Sequence, residues 1–134
     1  MKIKLTVLSL ITSAFVCMPF LFVSGCKTAS VAAISVTKVV DTAMKAWAEA
    51  SVKGLTTVEF DTKVVDAHDK YRRACKIAAD SLERVGENAD KDLLLSTLKM
   101  VKAAADPLID LISDCLAPTQ SSQLKSDLQK AARL

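Results

Sequence analysis

Apolar side chains recur at alternating steps of three and four residues along most of the chain beyond residue 34, and this spacing constrains the fold more than any other feature. Such steps place side chains on one face of an α-helix. Only three glycines and three prolines interrupt the 134 residues, which is too few for the many turns of a β-sandwich or a β-barrel. The sequence therefore predicts an all-α fold.

The apolar pattern divides into four amphipathic segments. The first ends at Gly54, because glycine readily adopts the left-handed conformation that closes a helix. The second covers about residues 57–85 and begins at a capping box, in which Thr56 and Glu59 bond each other's backbone amides. The third follows a short turn, and the fourth follows Pro118. Short connections make neighbouring helices antiparallel, so we predict an up-and-down bundle of three to four helices.

The apolar stripes define the predicted core. Trp47 and Tyr71 both fall on a stripe, so we interpret these aromatic residues as core rather than as binding anchors. The stripes of the first three segments consist of Val36, Val40, Ala43, Trp47 and Ala50; of Phe60, Val64, Ala67, Tyr71, Ala74 and Ala78; and of Leu94, Leu98, Val101, Ala105, Leu108, Ile112 and Cys115.

The dipeptide Asp106-Pro107 leaves two paths open for the third segment. Aspartate is a good N-cap and proline suits the first helical position, so the chain can reverse at residues 105–106; yet the apolar stripe continues through the proline. A reversal returns Cys115 to within one turn of Cys75, whereas a continuous helix leaves the two cysteines about 22 Å apart. We favour the reversal, and with it a disulfide between Cys75 and Cys115 in an oxidising compartment.

The first 25 residues have the pattern of an export signal. Lys2 and Lys4 precede an uncharged stretch over residues 5–23, and the small residues Ser24 and Gly25 follow it. Cations stay on the cytoplasmic side of the membrane, an apolar stretch enters the bilayer, and small residues admit a peptidase. An uncleaved transmembrane anchor is the alternative, since 19 residues make a helix of about 28 Å.

The residues Val23-Ser24-Gly25-Cys26 resemble the lipobox of bacterial lipoproteins. In that family the cysteine thiol receives a diacylglyceryl group, a peptidase cuts before it, and the new amine is usually acylated. The resemblance implies cleavage between Gly25 and Cys26 and fatty acyl chains, of the palmitate class, on Cys26. Together with Pro19, the lipobox favours processing over a permanent anchor.

These features divide the chain into a signal peptide over residues 1–25, a lipidated tether over residues 26–33 and a helical bundle domain over residues 34–134. Two or more acyl chains hold a protein stably on a membrane. Lys27 is not the aspartate that retains such lipoproteins in the inner membrane of Gram-negative cells. The resemblance therefore implies a cell-envelope location, on the periplasmic face of the outer membrane in a Gram-negative host.

The charge balance gives no support to nucleic-acid binding. The chain has 18 cations and 15 acids, and cleavage would remove Lys2 and Lys4, which lowers the net charge from +3 to about +1. The densest cation group interleaves with acids at spacings that stabilise a helix, with the acid four residues before the cation. We expect the pairs Asp66 with Lys70, Asp69 with Arg73 and Asp80 with Arg84.

No catalytic or metal centre can be assembled from the sequence. His68 is the only histidine and nothing places a nucleophile beside it, so we interpret it as a partly exposed residue next to an apolar stripe. The row of Asp106, Asp110 and Asp114 reads as a solvated helix edge. Two thiols and one histidine are few ligands for a metal. We predict no enzymatic activity, no metal and no cofactor apart from the covalent lipid.

Residues 44–71 resemble a helix–turn–helix pattern of small bacterial and phage-encoded proteins without established activity, and the resemblance implies a helical hairpin. We expect a lipid-anchored helical protein with a structural or protein-interaction role in the cell envelope. The alternative is an envelope effector from a phage or mobile element that binds a receptor or takes part in lysis. The hairpin resemblance rests on the segment Met44–Ala50 with Gly54, Thr57, Glu59, Val64 and Tyr71.

Overall fold

The computed structural model describes residues 27–86 and 90–132. They form four helices and, within these ranges, no β-strand: α1 (Lys27–Val52), α2 (Val58–Val85), α3 (Lys91–Ser113) and α4 (Pro118–Ala131). The predicted all-α bundle is therefore confirmed. The predicted signal peptide, its cleavage site at Gly25 and the lipidation site at Cys26 lie outside the described residues.

Helix α3 occupies the centre of the bundle, because it packs against each of the other three helices. The longest stretch of close backbone approach joins α2 to α3, and α4 packs against both α1 and α3. An ion pair between Lys125 Nζ and Asp110 Oδ1, 3.0 Å apart, joins α4 to α3 at the surface. The apolar stripes of all four helices thus meet around one core.

The core contains most of the predicted stripe residues. Trp47 and Tyr71 are 1% and 2% exposed, which confirms that both aromatic side chains belong to the core. Burial of each large apolar side chain contributes about 1.5–3 kcal/mol to stability. The largest side chains that are essentially inaccessible to solvent are Trp47, Leu108, Ile109, Ile112, Val36, Val40 and Val64.

Helix α1 begins at Lys27, seven residues before the predicted boundary of the bundle domain. Residues 27–33 of the predicted tether are therefore helical in the structure and continue directly into the rest of α1. Ala32 explains part of the difference, since it lies four residues before Val36 and is buried with it. The apolar stripe of α1 thus starts one turn earlier than expected.

The helix ends follow the predicted signals with one error. The N-cap of α2 is Thr57, whose hydroxyl accepts a hydrogen bond from the Phe60 amide at 3.2 Å. The predicted capping box at Thr56 is wrong by one residue, and Glu59 instead pairs with Lys63 at 2.9 Å. The glycine stops are confirmed: Gly54 and Gly86 have φ values of 72° and 59°, which only glycine adopts without strain.

Helix α3 runs through Pro107 without reversing, so the predicted turn at residues 105–106 is wrong. An interior proline costs about 3 kcal/mol. Beyond it, Leu108, Ile109 and Ile112 are at most 1% exposed, and burial at about 1.5–3 kcal/mol for each outweighs that cost. Asp106 does not act as an N-cap; its carboxylate accepts two hydrogen bonds from Lys102 Nζ, at 2.8 and 2.9 Å.

The predicted disulfide between Cys75 and Cys115 does not form, because the continuous α3 keeps the two residues apart. The charge of Asp61 acts on the Cys115 thiol, which indicates that Cys115 lies near the Asp61 end of α2. Cys75 is about 14 residues further along that helix, or about 21 Å at 1.5 Å per residue. A disulfide requires Cα atoms within about 7 Å.

We expect the substitution Pro107→Ala to stabilise the protein by about 1–2 kcal/mol. Alanine restores the missing backbone hydrogen bond of α3, and the greater entropy of the unfolded chain offsets part of the gain. Urea denaturation followed by circular dichroism measures the effect. Pro118→Ala is the matched control, since Pro118 occupies the first turn of α4, where proline is well suited and alanine brings no such gain. Equal effects at both sites would contradict a continuous α3.

Candidate functional site

The polar side chains between α1 and α2 form the candidate functional site. The Trp47 indole N–H donates a hydrogen bond to Asp61 Oδ1 at 2.8 Å, and the Ser51 hydroxyl donates to Asp61 Oδ2 at 2.9 Å. Both oxygens of one carboxylate on α2 therefore accept from α1. We name this group, Trp47, Ser51 and Asp61, the Asp61 clamp.

The local sequence explains how the clamp forms. Trp47 and Ser51 are four residues apart, so they lie on the same side of α1 one turn from each other. Asp61 belongs to the first turn of α2, where the helix dipole favours a negative charge. Hydrogen bonds to a charged group contribute about 1.5–3 kcal/mol each, which makes the clamp a strong link between these two helices.

Cys115 lies two residues beyond the end of α3, and the charge of Asp61 acts on its thiol. Its thiol donates to the Ile112 carbonyl at 3.0 Å. Burial raises the pKa of the Cys115 thiol, and the charges of Asp61 and Asp114 raise it further, although a backbone hydrogen bond acts in the opposite direction. The thiolate is the nucleophilic form of cysteine. Cys115 therefore remains a protonated thiol at neutral pH and is poorly suited to nucleophilic catalysis.

His68, on α2, is also buried, with 2% of its surface exposed. The prediction of a partly exposed histidine is therefore wrong. The imidazole lies against the Tyr71 ring, with ring centroids 6.3 Å apart. Its Nδ1 atom is buried and has no hydrogen-bond partner among the described residues. Burial lowers the pKa of His68, the positive charge of Arg72 lowers it further, and the negative charge of Asp69 acts in the opposite direction.

The sequence contains a signal for this burial. His68 comes four residues after Val64 and three before Tyr71, so it continues the apolar stripe of α2. The sequence predicts the clamp less clearly. A buried tryptophan needs an acceptor for its indole N–H, but the sequence pattern does not show whether Glu59 or Asp61 is that acceptor.

The row of three acidic residues on α3 and beyond it is dispersed at the surface. Asp106 pairs with Lys102, Asp110 pairs with Lys125, and Asp114 is exposed. Within the described ranges, no three residues among His, Cys, Asp and Glu are grouped closely enough to hold a metal ion. These carboxylates therefore interact with cations and solvent and do not converge on one point.

The predicted ion pairs on the surface of α2 take a different form. Asp69 lies near Arg72, with 4.0 Å between the carboxylate and the guanidinium, in place of the expected partner Arg73. The expected pairs Asp66 with Lys70 and Asp80 with Arg84 do not come within 4 Å among the described side chains. Exposed ion pairs of this kind contribute little to stability.

Large apolar side chains are exposed at the turn between α1 and α2. Val52, Leu55 and Val58 are 63%, 70% and 63% exposed. We call these three residues the apolar turn. They lie at the same end of the bundle as the Asp61 clamp, since Ser51 and Asp61 flank them in the sequence. None of the described helices has the combination of length and apolarity needed to cross a membrane.

Comparisons of the chain with protein-family models, with curated proteins and with solved structures found no match.

We expect Asp61→Ala to destabilise the protein by about 2–4 kcal/mol, because it leaves the buried indole N–H of Trp47 without an acceptor. Urea denaturation followed by circular dichroism measures the loss. Asp66→Ala is the matched control, since Asp66 is exposed on the same helix and should change the stability by at most about 0.5 kcal/mol. A loss at Asp61 no larger than the loss at Asp66 would show that the clamp does not hold α1 to α2.

Proposed function

We propose that this protein is a lipid-anchored helical bundle of the bacterial cell envelope, with a structural or protein-interaction role. The lipobox-like residues at the end of an uncharged stretch carry the proposal. Acyl chains on Cys26 would insert into the bilayer, where each buried methylene contributes about 0.8 kcal/mol. The helical domain would then work at the membrane face.

The start of α1 supports a close connection between the anchor and the bundle. The helix begins at Lys27, the residue after Cys26, and Ala32 is already part of the core. A lipid on Cys26 would thus be six residues from Ala32, or fewer than two helical turns from the core. The 26 residues of α1 span about 39 Å at 1.5 Å per residue, so the apolar turn would lie about that far from the anchor.

The buried polar contacts support a structural role for the domain. Both oxygens of Asp61 bind groups on α1, and the Tyr71 hydroxyl lies 3.4 Å from the Thr37 hydroxyl of the same helix. These groups hold one helix to another. Membrane tethering would then act by raising the local concentration of the bundle at the membrane face, which favours weak contacts with other envelope proteins.

Lipidation is tested by expression of the full chain in bacteria fed with labelled palmitate. We expect the wild type in the membrane fraction, with an intact mass that shows the loss of residues 1–25 and the gain of acyl chains. Cys26→Ser should lose the label and keep its N-terminal segment. Cys17→Ser is the matched control, since this cysteine lies within the predicted signal peptide and should leave the label unchanged.

Two results would overturn the lipid anchor: a wild-type mass without acyl chains, or a label that persists in Cys26→Ser. The interaction role is tested separately, by crosslinking in cells that express the wild type or a chain whose residues 1–26 are replaced by a cleavable signal peptide without a lipobox. Cys26→Ser does not serve here, because its retained apolar segment can hold it in the membrane. Crosslinked products that depend on the anchor support tethering, whereas an identical set of products contradicts it.

A further inference from the structure

The α1–α2 interface differs from the other contacts in the bundle. Helices α2 and α3 approach closely along much of their length, whereas close backbone approach between α1 and α2 is limited. These two helices meet through long side chains, at the Asp61 clamp and at the contact of Tyr71 with Thr37. His68 belongs to this interface, because it lies seven residues from Asp61 and therefore on the same face of α2.

We propose that His68 is an acid-sensitive element of this interface, whose protonation loosens α1 from α2 while the packing of α2, α3 and α4 persists. The inference does not depend on the lipid anchor. It concerns only described residues of the bundle, and it holds for a chain with or without acyl groups.

The geometry around the imidazole supplies the mechanism. A neutral imidazole has one N–H donor and one acceptor, whereas the protonated ring has two donors and a positive charge. Nδ1 of His68 is buried and has no partner in the part of the chain that the structure describes. In the protonated ring this nitrogen would be an unpaired N–H donor on a buried cation, which is strongly unfavourable. The ring must then move toward solvent or admit water. Either change disturbs its contact with Tyr71, which lies against Thr37 of α1.

The charged neighbours of His68 do not offset this cost. Arg72 and Asp69 are the charged groups that act on the imidazole, and both belong to α2. No charged side chain among the described residues of α1, α3 and α4 is one of these groups. The guanidinium disfavours protonation, the carboxylate favours it, and burial is the larger influence.

The direction of the pH effect follows from these neighbours. The pKa of His68 in the folded state is lower than its ordinary value of 6.5, so between the two pKa values the unfolded or loosened state binds more protons. Stability rises with pH wherever that holds. The neutral imidazole therefore makes its full contribution to the stability of the folded interface above pH 6.5. This stability is lost as the pH falls toward the pKa of His68 in the folded state.

The chain contains its own reporter for the experiment. Trp47 is the only tryptophan, it is 1% exposed, and it belongs to the α1–α2 interface. We would purify the full chain in detergent and measure Trp47 emission and acrylamide quenching from pH 8 to pH 5. We expect a reversible red shift and at least a twofold rise in the quenching constant below about pH 6.5. The helical circular dichroism signal should be retained.

Substitutions separate His68 from the carboxylates near this interface. His68→Gln cannot be protonated and should abolish the transition, and His68→Phe repeats the test with an apolar ring that tolerates burial. Asp61→Asn should keep a transition, although Asp61 contacts Trp47 directly. Asp41→Asn should also keep it; Asp41 is relevant because burial raises its pKa, despite the opposing charge of Lys45.

Three results would overturn the proposal. The first is a wild-type protein whose Trp47 signal does not change between pH 8 and pH 5. The second is a transition that persists in both His68→Gln and His68→Phe. The third is a loss of helical signal over the same pH range as the change at Trp47, which would indicate unfolding of the whole bundle rather than loosening of α1 from α2.

Discussion

The burial of one uninterrupted apolar stripe along α3 is the constraint on which the rest of the bundle depends. Because α3 packs against all three other helices, its path past Pro107 decides where α4 begins and which residues Cys115 meets. Leu108, Ile109 and Ile112 lie beyond the proline and are essentially inaccessible. Their burial offsets the backbone hydrogen bond that proline cannot make, so packing overrides a local rule against proline in helices.

The features that could be predicted from the sequence are those that many residues repeat. The stripe that contains Val64 and Tyr71 repeats along the whole of α2. One polar residue within such a stripe does not change which face of the helix is predicted to be buried. A helix cap depends on one residue. Thr56 and Thr57 both have the hydroxyl that an N-cap needs, and only the backbone conformation, φ −97° and ψ 158° at Thr57, distinguishes them.

The error at Asp106 has a specific physical cause. The Asp-Pro pattern and the pair Cys75 and Cys115 both suggested a reversal of the chain. Neither of them indicates how far the helix continues along its axis. The N-cap pattern also ignores a competing partner: Lys102 lies one turn before Asp106 and binds both carboxylate oxygens in a continuous helix. The unbroken apolar stripe was the sequence feature that correctly predicted a continuous helix through Pro107.

The candidate site could not be predicted in the same way, because its residues interact singly rather than as a repeat. Buried alanines such as Ala74 and Ala78 leave room for close helix packing in α2, and that kind of contact is insensitive to charge. The α1–α2 interface instead relies on one carboxylate, at Asp61, and on one imidazole, at His68, that must stay neutral. Helix α1 is therefore held to α2 by the contacts most responsive to solution conditions, whereas its contacts with α3 and α4 depend chiefly on apolar burial.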